Sequence, residues 1–95
     1  MTDLLSRQEI NSLVDDHPKW QLDDQARPTC LIRTWKFNDF AEAYGFLTKI
    51  ALLAEKLDHH PDIHLHYNKL TLNLTSHDSK GLTTRDAKFI HRLAA

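Results

Sequence analysis

The chain has 95 residues, 41% of them hydrophobic and 26% charged, and its 12 Lys and Arg nearly balance 13 Asp and Glu at a net charge of −1. A length of this order supports one core, so residues 1–95 are read as a single domain, and the balanced charge gives nucleic acid no basic surface to bind. The single Cys30 cannot close an internal disulfide, the opening MTDLLSRQEINS carries acidic residues where a leader would be basic, and no apolar run could span a bilayer, so a cytoplasmic protein without a membrane partner is expected.

In chain order, Ser6 followed by Glu9 forms a capping box before the short apolar stripe Ile10, Leu13 and Val14, which predicts a first helix ending ahead of Pro18. Residues 20–22 and 29–37 read as two strands joined by DDQARP, although Arg33 shares the parity of Leu31, Trp35 and Phe37. A long helix is expected over residues 38–57, capped by Asn38 or Asp39. Its core face is predicted to hold Phe40, Tyr44, Leu47, Ala51 and Ala54, widened by Ile50, Leu53 and Leu57. Pro61 ends it by forcing His60 into an extended conformation.

Residues 63–67 and 70–76 alternate cleanly and predict a hairpin turning at Asn68-Lys69. That turn sets His66 against Thr71, His64 against Asn73 and Ile63 against Leu74; carried backwards, it sets His60 against His77. Ile63, Leu65, Tyr67, Leu70, Leu72 and Leu74 then share the core face, while His64, His66, Thr71, Asn73 and Thr75 look outward. After Gly81, Thr83 and Asp86 form a second capping pair ahead of a last helix with Ala87, Ile90, Leu93 and Ala94 inward. The order α-β-β-α-β-β-α implies an α+β two-layer sandwich, a four-stranded antiparallel sheet with helices packed on one face.

Four of the seven histidines fall within LDHHPDIHLHY, and three readings of them stand. His64 and His66, two apart on one strand, have the spacing of a zinc-binding pair. His59 and His60, at the end of the long helix with Glu55 about a turn before, suit acid-base chemistry, since imidazole exchanges protons near neutral pH. An outward face of His, Thr and Asn is also what a solvated sheet surface looks like. His17 and His91 fit helix ends, Trp20 fits either core or a stacking platform, and Cys30 fits a small strand residue.

The stretch AEKLDHHPDIHLHYNKLTLNLTSHDSKGLTTRD resembles the pterin-4a-carbinolamine dehydratases. The pattern is Glu-Lys, one residue, then Asp-His-His-Pro at Asp58 to Pro61, Tyr-Asn-Lys from Tyr67, His77, and Gly81-Leu82-Thr83 leading to Arg85-Asp86. FNDF from Phe37 and the run YGFLTKIALLAEKL are similar to the family as well. The resemblance implies dehydration of a 4a-hydroxytetrahydropterin to quinonoid dihydropterin, in the recycling of the pterin used by aromatic amino acid hydroxylases, with no cofactor and no metal. It places the catalytic histidines at His59, His60 and His77, with Glu55 and Asp86 as supporting carboxylates; in the expected mechanism Glu55 orients His59. Two positions depart from the family pattern: Ile63, where an aromatic residue is frequent, and Lys80, where a small one is.

Members resembling this fold also act as a transcription-factor dimerisation cofactor or in Rubisco assembly, so a non-catalytic binding module is the alternative, with a zinc-dependent hydrolase behind it. Exposed strand edges lead to the expectation of a homo-oligomer.

Overall fold

A computed structural model describes residues 3–94 in the order α1 (Arg7–Asp16), β1 (Gln21–Asp23), β2 (Cys30–Lys36), α2 (Phe40–Leu57), β3 (Asp62–His66), β4 (Lys69–Leu74) and α3 (Thr84–Ala94). The strands form one antiparallel sheet in the order β1-β2-β4-β3. This is the α+β architecture that two hairpins interleaved with three helices predict.

Central strand β4 presents Leu70, Leu72 and Leu74, all fully buried, to a core completed by Ile10 and Leu13 of α1, Ile50 and Ala54 of α2, and Phe89 and Ile90 of α3. Each such side chain contributes about 1.5–3 kcal/mol by leaving water, so β4 is the strand least able to shift. Trp20 belongs to this core, with its ring edge-on to Trp35 at 5.9 Å, and is no exposed stacking platform. Arg33 keeps the core parity by laying its guanidinium 4.3 Å from the centre of the Trp35 ring, an arrangement in which the ring face attracts the cation. Cys30 is a free, buried thiol that burial pushes above its usual pKa.

The capping box of α1 forms as expected, with Glu9 N–H donating to Ser6 Oγ at 3.1 Å and Ser6 N–H donating to Glu9 Oε1 at 2.8 Å. Two expectations are corrected. First, the core face of α2 is turned around the helix axis. Ala43, Ile50 and Ala54 are buried, and Phe46, Leu47, Leu53 and Leu57 pack against the core. Phe40 and Tyr44 remain 50% and 55% exposed, their rings 5.8 Å apart, and Ala51 is exposed with them. The helix carries two apolar stripes, and period alone does not choose between them.

Second, the β3–β4 turn comes one residue earlier than expected, with Tyr67 in the left-handed region at φ 51°. Asp62 faces Asn73, Ile63 faces Leu72, His64 faces Thr71 and His66 faces Lys69. The cause is distant in sequence. Asn68 exchanges backbone bonds with the end of β2, since Phe37 N–H donates to its carbonyl at 2.8 Å and its own Nδ2 donates to Phe37 O at 2.9 Å. Partners slip by two residues, one full side-chain period, so the alternation is kept. Tyr67, expected inward, nevertheless lies exposed in the turn, Ile63 on the edge strand is exposed too, and Thr75, expected outward, is buried. The His60–His77 cross-strand pairing is lost, because the ladder stops at Asp62 and His77 begins a 3-10 turn, His77–Ser79.

Candidate active site

The ends of four elements meet where the histidines lie: the end of α2, the start of β3, the end of β4 and the start of α3. Helix α2 closes with Asp58 in the left-handed conformation at φ 50°. Asp58 N–H donates to Glu55 O at 3.3 Å and His59 N–H reaches back to Ala54 O at 3.1 Å. These crossed bonds absorb carbonyls that the helix leaves open, and aspartate tolerates the left-handed geometry better than most residues. The reversal sends two adjacent histidines in opposite directions. His59 is buried and His60 is exposed.

Inside, His59 Nε2 lies 2.6 Å from Asp86 Oδ1. Asp86 is fully buried at the first turn of α3, and its Oδ2 accepts from Ser76 Oγ at 2.8 Å and from the Thr83 N–H at 2.9 Å. Ser76 has one hydroxyl hydrogen, already given to Asp86, so Thr83 Oγ1 donates to Ser76 Oγ at 2.8 Å while accepting from the Arg85 N–H at 3.2 Å. A carboxylate only accepts, so the Nε2 of His59 carries the hydrogen of this contact. The start of α3 favours negative charge at Asp86, which doubles as the helix-capping carboxylate expected there.

Outside, two histidines stand beside carboxylates at longer range. His60 Nε2 is 3.6 Å from Glu55 Oε1, and His77 Nε2 is 3.6 Å from Asp62 Oδ2, with all four side chains more than half exposed. The turn that carries His77 is held at its base by Ser76 and Gly81, whose backbones exchange bonds at 2.9 and 3.3 Å. Gly81 lies so near Leu4 that an added Cβ would sit 3.0 Å from Leu4 Cδ2. On the next turn of chain, Arg85 donates to Asp78, which holds the Asp78 carboxyl below the usual carboxylate range and the guanidinium above its own.

All five residues expected at the site therefore lie around these element ends, but the carboxylates are distributed differently. Asp86, not Glu55, is the partner of His59; Glu55 stands beside His60. Asp62 beside His77 and Ser76 beside Asp86 were not anticipated. The expected register puts Asp62 on the face of His60 and His77 but pairs it with neither; it meets His77 past the end of the ladder. The inner and outer pairs are linked through the chain itself: Ser76, which donates to Asp86, precedes His77, and Asp62, which faces His77, follows His60 and Pro61. His64 and His66 are exposed on the open face of β3. Among the described residues, no three His, Cys, Asp or Glu side chains converge as a metal-ligand set. The rings of His17 and His91 lie 5.1 Å apart at the far helix ends.

Such an end-on cluster of imidazoles and carboxylates can donate one proton while accepting another. Comparison with known proteins places the cluster in a family. A family model described as Pterin 4 alpha carbinolamine dehydratase matches residues 3–95. A protein of Prochlorococcus marinus (strain NATL2A), provisionally named a pterin-4-alpha-carbinolamine dehydratase, is 42% identical over 93% of this chain and 88% of its own. A Rhodospirillum rubrum protein with the same provisional name is 43% identical over 98% of both. The crystal structure of a transcriptional coactivator/pterin dehydratase from Brucella melitensis superposes with a TM-score of 0.87 at 36% identity, covering 97% of this chain and 96% of the other. A pterin dehydratase-like RuBisCO assembly factor of the alpha-carboxysome shares the fold, with a TM-score of 0.66 at 22% identity over 79% and 84% of the two chains. A match of this extent in sequence and in structure leaves one conclusion, that the chain belongs to the pterin-4a-carbinolamine dehydratase family.

Proposed function

We propose that the protein dehydrates a 4a-hydroxytetrahydropterin to quinonoid dihydropterin by histidine general acid-base catalysis, with no cofactor or metal. The observation that carries this reading is that each of His59, His60 and His77 has its own carboxylate, in Asp86, Glu55 and Asp62. The substrate holds a hydroxyl on C4a and a hydrogen on the adjoining N5. Loss of water breaks the C4a–O bond, forms a C4a–N5 double bond, and requires one proton delivered to oxygen and one taken from nitrogen.

His60 and His77 are exposed enough to reach a ligand and exchange protons with it, each beside an acceptor that can orient its ring. His59, 7% exposed, is held by Asp86 and acts from beneath them. Glu55 thus acts through His60, and Asp86 through His59. The reaction fits recycling of a pterin oxidised by an aromatic amino acid hydroxylase. Its setting is the cytoplasm, where a free buried thiol such as Cys30 stays reduced.

The test is a pterin-carbinolamine dehydration assay with and without chelator. Turnover that persists in chelator and falls about 10²- to 10⁴-fold in His60→Ala and His77→Ala supports the reading. Full activity in both variants ends it.

One observation favours a second reading, a protein-binding role on the same fold: the exposed Phe40 and Tyr44 stripe of α2. The same stripe and the free edge of β3 support self-association into a homo-oligomer. Light scattering is expected to give a mass well above the 11.1 kDa of one chain; a monomer at micromolar concentration contradicts it.

A further inference from the structure

Next to His77 lies a cleft of about 310 Å³ lined by Arg27, Pro28, His77 and Lys80. Two of its four walls are permanent cations and none is a carboxylate, in a chain whose net charge is −1. Asp24 is paired with Arg7 and Asp78 with Arg85, while Asp62 lies 3.6 Å from His77, a wall of the cleft, and leaves Arg27 and Lys80 without a carboxylate partner among the described residues. Arg27 is held in place by its Nη1, which donates to the carbonyls of Asp24 and Ala26 at 3.0 and 2.9 Å. That leaves Nε and Nη2, two of the atoms of a guanidinium fork, with no hydrogen bond among the described residues. Lys80 sits in the left-handed region at φ 60°, and its N–H donates to His77 O at 3.2 Å, so its position is tied to that of the histidine.

A neutral bicyclic ring needs hydrogen-bond partners but no full charges. Two cations beside the reacting centre therefore match something the ring itself lacks. The side chain of a pterin leaves from C6, which is bonded to N5, the atom that gives up its proton. A substituent there starts on the same edge of the ring as the reaction, and Arg27 and Lys80 line one cleft with His77, the histidine assigned to the 4a-hydroxyl. Arginine pairs with phosphate through parallel N–H bonds, and lysine adds a point charge.

We propose that this cleft is an anion subsite, in which Arg27 and Lys80 bind a phosphate ester on the substrate's side chain, so that phosphorylated reduced pterins are the preferred substrate class. The inference rests on the dehydratase reading and narrows it.

The test is equilibrium binding of two stable ligands, a 6-substituted dihydropterin ending in a phosphate ester and the same compound without the phosphate. Each is titrated into the wild-type protein and the Arg27→Gln/Lys80→Gln double variant, with folding checked by circular dichroism. The wild type is expected to favour the phosphorylated form about tenfold or more, a preference that shrinks with added salt. In the double variant the ratio falls toward one, and Lys80→Arg retains it. A wild-type ratio near one, or a double variant with the full wild-type ratio, overturns the subsite. If both compounds bind equally while the neutral carbinolamine is still turned over, the subsite fails and the dehydratase reading stands. If neither binds and no carbinolamine is turned over, both fall together.

Discussion

His59 and His60 share a peptide bond and almost nothing else. The first is packed against a fully buried carboxylate at 2.6 Å, whereas the second faces an exposed carboxylate at 3.6 Å. A buried ion or hydrogen-bond partner that is removed leaves its mate desolvated and unpaired, while an exposed one is replaced by water. The contrast teaches that one backbone reversal can give adjacent rings opposite surroundings; on the reading proposed above, the inner ring anchors the fold and the outer one, with His77, meets the ligand.

The sharpest way to break this division is at Asp86. Asp86→Ala strips an acceptor from His59, Ser76 and the Thr83 N–H together, and is expected to destabilise the protein by about 3–5 kcal/mol, read from urea unfolding. An unfolding midpoint close to wild type would show that the inner network is not structural. Next in size is the contrast between the two rings. His59→Ala is expected to lose about 1–3 kcal/mol of stability, while His60→Ala stays within about 0.5 kcal/mol and shows its loss in turnover. Similar midpoints for the two variants would erase the comparison.

The smallest effect concerns the exposed Arg85–Asp78 pair. The guanidinium depresses the Asp78 carboxyl in the folded state, so the pair adds stability above the unfolded value of about 3.9 and loses it as pH falls through the folded value. Asp78→Asn should therefore unfold slightly earlier than wild type at neutral pH, with the gap closing in acid; solvent screening keeps it small. A gap that widens in acid would contradict the assignment.

Local signals were legible in the sequence and distant ones were not. The capping box of Ser6 and Glu9 depends on residues three apart, and it forms as expected. The buried face of β4 follows from alternation alone. The register of β3 against β4 does not, because Asn68 is held by Phe37, thirty-one residues away. Two apolar stripes compete for the core on α2, and only the sheet decides between them. At the site, Pro61 announces where the helix must stop, which locates His59 and His60. Which carboxylate each would meet depends on the reversed backbone at Asp58, a conformation that no residue pattern nearby demands.

Asp86 caps the start of α3 with one carboxylate oxygen and holds His59 with the other. Evolution cannot easily adjust one duty without disturbing the other, so relatives that abandon the chemistry but retain the architecture would still be constrained to keep this carboxylate. On the reading proposed above, its presence in a sequence would then mark inherited shape, and the rings at 60 and 77 would be the place to look for activity.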